Sequence, residues 1–375
     1  MTVVVRTAGG SLRTHRVWSS SDSLVSGVSV SIDDHGVATA AWASSTRAQE
    51  LHGVATVRAA YGALTGRWAP ARVIGHSTSF GSLPAGRYPH LAVAPNGREL
   101  LAWDDDRAPK ATVLAAWREP GHHFGAARVV GRSPNVPLGA IPAFDTHGRV
   151  YLSSPCYGLV MSAPPGRYRF GPPLLVAPGQ APHQALQFSL SLSDAGAGLA
   201  SWVNGTCTND PAAGSTPGPV YASVLRAYHF GDPIALTAAE DQSYGSTAVA
   251  SAAGGGIVSW SDNTYRIPFL GGFFDGVSSA PIDPAGILGP VQQVPSTIVP
   301  VLRDGGGDQI LTPYVAWPGE GGVILRPVDG SADQPAPNGI GWLAATSPIG
   351  RAAALAWNTN PAGNGPTLAI SVWRP

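Results

Sequence analysis

The sequence predicts an all-β fold assembled from a repeated four-stranded unit, on three observations. A strand–turn–strand phrase, PHLAVAPNGRELLAW at Pro89 to Trp103, returns along the chain and usually ends in Trp. Gly and Pro, 47 and 35 of the 375 residues, punctuate short apolar runs as turns do. No long stretch carries the period of an amphipathic helix, so no helix is expected. Seven copies average roughly 50 residues each, the size of a propeller blade. The expectation is one β-propeller domain over residues 1–375, most simply seven blades of four antiparallel strands, with six blades as the alternative.

The copies run in order. VSVSIDDHGVATAAW ends at Trp42 and the second copy at Trp103. The third, IPAFDTHGRVYLSS, has Tyr151-Leu152 where the Trp is expected. Later copies end at Trp202, Trp260, Trp317 and Trp357. Third and fourth strands follow: Val54 to Ala60 and Ala71 to Ile74, Thr112 to Trp117 and Ala127 to Val130, Tyr221 to Ala227 and Pro233 to Leu236. Runs such as Leu100-Leu101-Ala102-Trp103 are apolar on both alternations, as a sheet covered on both faces requires. The repeated Trp therefore reads as core. The chain closes on Thr367 to Trp373, a third strand lacking a fourth, and opens on Val3 to Arg6 and His15 to Trp18. The amino-terminal strands are expected to complete the last blade and so remove two open edges.

Composition narrows the function. Charged residues are 12% and the net charge is zero, which gives no footprint for nucleic acid. No apolar run reaches the roughly 18 residues of a membrane span. Met1 to Arg6 lacks the form of a signal peptide, which fits an intracellular protein or a mature chain with an added Met. Cys156 and Cys207 follow the second strands of adjacent units, without metal or redox spacing. A disulfide between neighbouring blades is expected, with two free thiols as the alternative. Such a bond would favour an oxidising compartment, hence a secreted or cell-surface protein.

In a meander of four strands, the turns between strands one and two and between three and four emerge at one end. Those turns are tight and glycine-bearing here. Loops from strand two to three, and from one unit to the next, emerge at the other end and are longer and more polar. Function sits on loops held by a rigid scaffold, so the second set is the expected working face. It carries Arg87, His90, Asp104, Arg107, His183, Tyr244, Asp262, Tyr265 and Arg266 as candidate ligand-binding residues. Guanidinium, carboxylate, imidazole and aromatic groups around one hollow suit a polar ligand such as a sugar. Asp104-Asp105-Asp106 lacks the alternating spacing of a calcium loop and reads as a solvated turn. His122-His123, on a tight turn, is a poor metal site alone. No metal, cofactor or catalytic residue is assigned.

Tyr265-Arg266-Ile267-Pro268 resembles the Tyr/Phe-Arg-Ile-Pro motif of sialidases, a propeller family in which that Arg helps clamp the substrate carboxylate. The resemblance covers four residues. It implies Arg266 as a carboxylate clamp and a glycoside hydrolase as the catalytic alternative. Family members carry the motif on the first strand of the first blade, whereas here it follows the second strand of the fifth unit. Over nearly its whole length the strand–turn–Gly–strand–Trp unit is similar to secreted bacterial β-propeller repeat proteins. The leading expectation is a non-catalytic module binding a carbohydrate or a protein.

Overall fold

The computed structural model describes residues 2–6, 12–20, 23–46, 48–49, 52–63, 67–78, 89–105, 112–132, 141–154, 158–176, 185–193, 196–205, 218–239, 241, 243, 246–251, 254–262, 276–294, 314–319, 322–327, 334–335, 340–346, 353–358 and 368–373. The named elements are all strands. They open with a hairpin, β1 (Thr2–Arg6) and β2 (Leu12–Arg16), in which Val3 pairs with His15. The first sheet follows as β3 (Ser23–Ile32), β4 (Val37–Thr46), β5 (Val54–Ala63) and β6 (Arg72–Thr78). The second is β7 (His90–Val93), β8 (Glu99–Asp105), β9 (Thr112–Arg118) and β10 (Arg128–Arg132). The third is β11 (Ile141–Phe144), β12 (Val150–Ser154), β13 (Leu159–Ala163) and β14 (Leu174–Leu175).

The fourth sheet has β15 (Ala185–Leu192), β16 (Gly198–Asn204), β17 (Val220–Arg226), β18 (His229–Phe230) and β19 (Ile234–Ala235), the last two both pairing with β17. The fifth has β20 (Ser246–Ala250), β21 (Gly256–Asp262), β22 (Gly276–Ile282) and β23 (Gln292–Val294). Two three-stranded sheets complete the chain: β24 (Tyr314–Gly319), β25 (Gly322–Pro327) and β26 (Gln334–Pro335), then β27 (Ile340–Thr346), β28 (Ala353–Asn358) and β29 (Leu368–Trp373). The sheets are meanders in chain order, save that β19 of the fourth returns to β17. Two compact units contain them: Met1–Pro142 with Leu311–Ala316 and Glu320–Pro375, and Ala143–Ile310 with Trp317–Gly319. In the first unit β1 runs alongside β29, the two belonging to different sheets.

One turn geometry joins strand one to strand two in five sheets. The N–H of Asp33, Ala94, Asp145, Ser193 and Ser251 donates to the carbonyl four residues on, at 2.7–3.0 Å. The turn then needs a left-handed residue, and Gly36, Gly97, Gly148, Gly196 and Gly254 supply it at φ of 66–85°. Asp33 and Asp145 reinforce it: each Oδ1 accepts two main-chain N–H bonds, at 2.7–3.0 Å. Six residues beyond the turn glycine stands Trp42, Trp103, Trp202 or Trp260, all buried.

That spacing corrects the third unit. Six residues past Gly148 is Ser154, so Tyr151-Leu152 does not replace the Trp. Alternation along β12 puts Tyr151 on the other face, where it packs in the cluster containing Trp202 and Phe188. The strand expected to reach Ala227 ends at Arg226, and Ala227 and Tyr228 form a turn with positive φ at both.

Strand alternation also builds the core between sheets. Leu101 and Trp103 of β8 point toward the first sheet and pack with Ala41, Val57 and Ala59. Trp103 Nε1 donates to the His76 carbonyl at 3.1 Å, so the indole carries its polar edge into a bond. Trp260 likewise joins a cluster with Leu199, Val203, Val220 and Ala222 of the fourth sheet. Trp317 and Trp357 have side chains outside the described residues.

Candidate functional site

The second sheet presents two chemically different ends. At its loop end, β7 begins with His90 and β8 finishes with Asp104 and Asp105. His90 pairs in register with Ala102, two residues from Asp104, so both candidates lie at one end. Burial pushes the His90 imidazole down to about 4, which keeps it neutral near pH 7.

Asp104 and Asp105 are strand residues with almost no exposure, which corrects the solvated turn expected for them. The reason is their role as joints. The Asp104 carbonyl accepts from Ser77 Oγ at 2.6 Å. Asp105 Oδ1 accepts from the Thr78 N–H at 3.2 Å and from the Thr78 hydroxyl. These bonds fasten β8 to the end of β6. Asp262 closes β21 opposite Gly276, the equivalent loop end of the fifth sheet, but its side chain is not among those described. Arg87, Arg107, His183, Tyr244, Tyr265 and Arg266 lie outside the described residues, as do Cys156 and Cys207. Among the described residues no group of three His, Cys, Asp or Glu side chains could hold a metal ion.

The turn end holds a charged network that the sequence reading did not single out. Glu99 and Arg118 stand opposite each other on β8 and β9. Ser31 and Thr39 stand opposite each other on β3 and β4. The two pairs meet between the sheets. Glu99 Oε1 accepts from Ser31 Oγ at 3.1 Å, and Oε2 accepts from Thr39 Oγ1 at 2.9 Å and Arg118 Nε at 2.6 Å. Glu99 and Arg118 are both buried. Burial opposes the Arg118 charge, but the Glu99 hydrogen bond and charge outweigh it and raise the guanidinium pKa. The guanidinium lies 4.7 Å from the Tyr61 ring centroid, and the Tyr61 hydroxyl bonds His123 Nδ1. His122 and His123 are exposed there, as a tight turn predicts. Arg98 adds an ion pair with Glu119 at 2.8 Å and stacks over Trp117 at 4.2 Å.

Chemically this end is a fastener. The Glu99 carboxylate already accepts three side-chain bonds, so it is poorly placed to move protons for a substrate. A sequence signal existed: Glu99 opens β8 directly ahead of the apolar run Leu100 to Trp103, and Arg118 ends the partner strand. Only register could show that they face each other.

No protein-family model matches the chain, and no curated protein matches it. Among solved structures, it is similar to YCF48 bound to D1 peptide, at 12% identity over 90% of this chain and 95% of that one, TM-score 0.47. It is similar to Penicillium chrysogenum α-L-arabinanase complexed with arabinobiose, at 12% identity over 93% of each chain, TM-score 0.48. A third is Trypanosoma rangeli sialidase, at 10% identity, covering 99% of this chain and 57% of that one, TM-score 0.46. The neighbours are β-propeller proteins, and the likeness is one of fold.

Proposed function

We propose that the chain is one seven-bladed propeller closed by its amino-terminal strands, and that it works as a secreted or cell-surface binding module for a carbohydrate. The ligand would sit on the loop end, held by Arg266, Tyr265, Asp262, Arg107, Arg87, His90, His183 and Tyr244, with Asp104 buried at the root of its loop. What supports binding over catalysis is the engagement of these acidic groups among the described residues. Glu99 is held by Arg118 and two hydroxyls, Asp105 by Thr78, and Asp33, Asp145 and Asp283 by turn N–H groups. Retaining or inverting hydrolysis needs two carboxyl groups about 5–10 Å apart over one pocket.

The second reading, a sialidase-like or other glycoside hydrolase, is favoured by Tyr265-Arg266-Ile267-Pro268 alone. Equilibrium binding to sialylated and arabinose-containing oligosaccharides, run beside turnover of a fluorogenic sialoside, separates the two. Saturable binding without turnover, weakened about 1.5–3 kcal/mol by Arg266→Ala, is the expected result. Turnover that disappears with Arg266→Ala replaces it with the hydrolase. Neither binding nor turnover rejects both readings.

A further inference from the structure

The first sheet carries a guanidinium set between a hydroxyl and an indole ring. Arg58 lies on β5, opposite Trp42. Its Nε donates to Ser44 Oγ at 3.0 Å, and that hydroxyl reaches the Thr56 carbonyl at 3.4 Å. Its Cζ lies 5.3 Å from the Trp18 ring centroid, and Trp18 tilts against Trp42 at 6.2 Å between centroids. One edge of the guanidinium and one face are thus fixed by packing. Among the described residues no carboxylate pairs with it, whereas Arg98 has Glu119 at 2.8 Å and Arg118 has Glu99 at 2.6 Å. Burial alone acts on its ionisation and pushes the pKa down. A half-buried cation without an anion is costly, and an anion from solution relieves that cost.

We propose that Arg58 anchors a second site, on the first sheet, for the carboxylate of a small organic acid. With Nε held by Ser44, the two Nη groups form the fork that matches a carboxylate edge-on through two parallel hydrogen bonds. The Trp18 ring stiffens the fork, so little side-chain freedom is lost on binding. The carboxylate could belong to an acidic sugar or stand alone, and the probes tell these apart. The site does not depend on the loop-end reading.

The test titrates the full chain with glucuronate, acetate and glucose, followed by Trp fluorescence and by ligand-observed NMR. Saturable binding of glucuronate but not glucose is expected. Binding confined to glucuronate assigns an acidic sugar, and equal binding of acetate assigns the bare carboxylate. Arg58→Gln should weaken binding about 10- to 100-fold, and Arg58→Lys, which keeps the charge without the fork, less than that. Trp18→Phe should remove the fluorescence change while the NMR signal persists. Thermal melting checks that each variant folds. Equal response to glucose, no response to either acid, or unchanged affinity in a folded Arg58→Gln protein overturns the site.

Discussion

The first and second sheets meet at their turn end through a charged side-chain pair; at the same address the fourth and fifth present hydrocarbon. The position is the same in both. Four residues before Trp103 stands Glu99, paired across the sheet with Arg118. Four residues before Trp260 stands Gly256, paired with Ile282, which lies in a wholly apolar cluster with Leu199 and Val224. Gly198 and Leu225 occupy the place before Trp202. The fold therefore accepts either solution at one address. A buried ion pair earns no automatic stability over an apolar pair, because desolvation offsets much of the attraction. What it adds is dependence of each partner on the other.

That dependence sets the largest expected effect. Glu99→Ala leaves Arg118 buried and unpaired and should cost about 3–5 kcal/mol in chemical denaturation. Adding Arg118→Leu to it copies the small–aliphatic solution of the fourth sheet and should recover most of the loss. A double variant as unstable as the single one would mean that the two junctions are not interchangeable.

Acid should weaken the second sheet next. Burial holds His90 neutral with a pKa of about 4 against 6.5 for the free group. The unfolded chain then takes up the proton first as pH falls. The stability contribution is complete above about pH 6.5 and is lost between about 6.5 and 4, on the order of 2–3 kcal/mol in all. Melting curves across that range should show the slope, and His90→Gln should flatten it.

Two smaller effects sharpen the contrast. Trp103 donates its indole N–H to the His76 carbonyl, while among the described residues Trp202 Nε1 meets no acceptor. Trp103→Phe should therefore cost about 1 kcal/mol more than Trp202→Phe. Among the described residues no group bonds the buried Tyr151 hydroxyl, and burial together with Asp145 raises its pKa. Tyr151→Phe should change stability by less than about 0.5 kcal/mol, or increase it. A large loss would reveal a bond at that hydroxyl, supplied by ordered water.

Much of the architecture was legible because strand alternation, turn glycines and the Trp all recur at fixed spacing. The strand pair around Asn96-Gly97 and the burial of Trp103 follow from local pattern alone. Asp104-Asp105 misled because a carboxylate run looks solvated until its strand is known to continue beneath the loop. Glu99–Arg118 was illegible for a different reason. The two residues are 19 apart in sequence, and their partners Ser31 and Thr39 lie on another sheet. Tyr151 was misplaced by a few positions, enough to move it to the opposite face.

The serines that alternate along the first strands reach outward from their own sheets. Ser29 Oγ accepts from the Leu91 N–H at 3.0 Å, and Ser189 and Ser191 accept from the Ala248 and Ala250 N–H groups at 3.2 and 3.0 Å. Each donating strand is the edge of its sheet, where alternate N–H groups face away from the ladder, and these amides are spent on serine hydroxyls instead. In deuterated solvent they should nonetheless exchange slowly, and only while the neighbouring sheet stays docked. Their exchange rates thus clock the separation of one sheet from the next, an event that ladder amides within a sheet do not register.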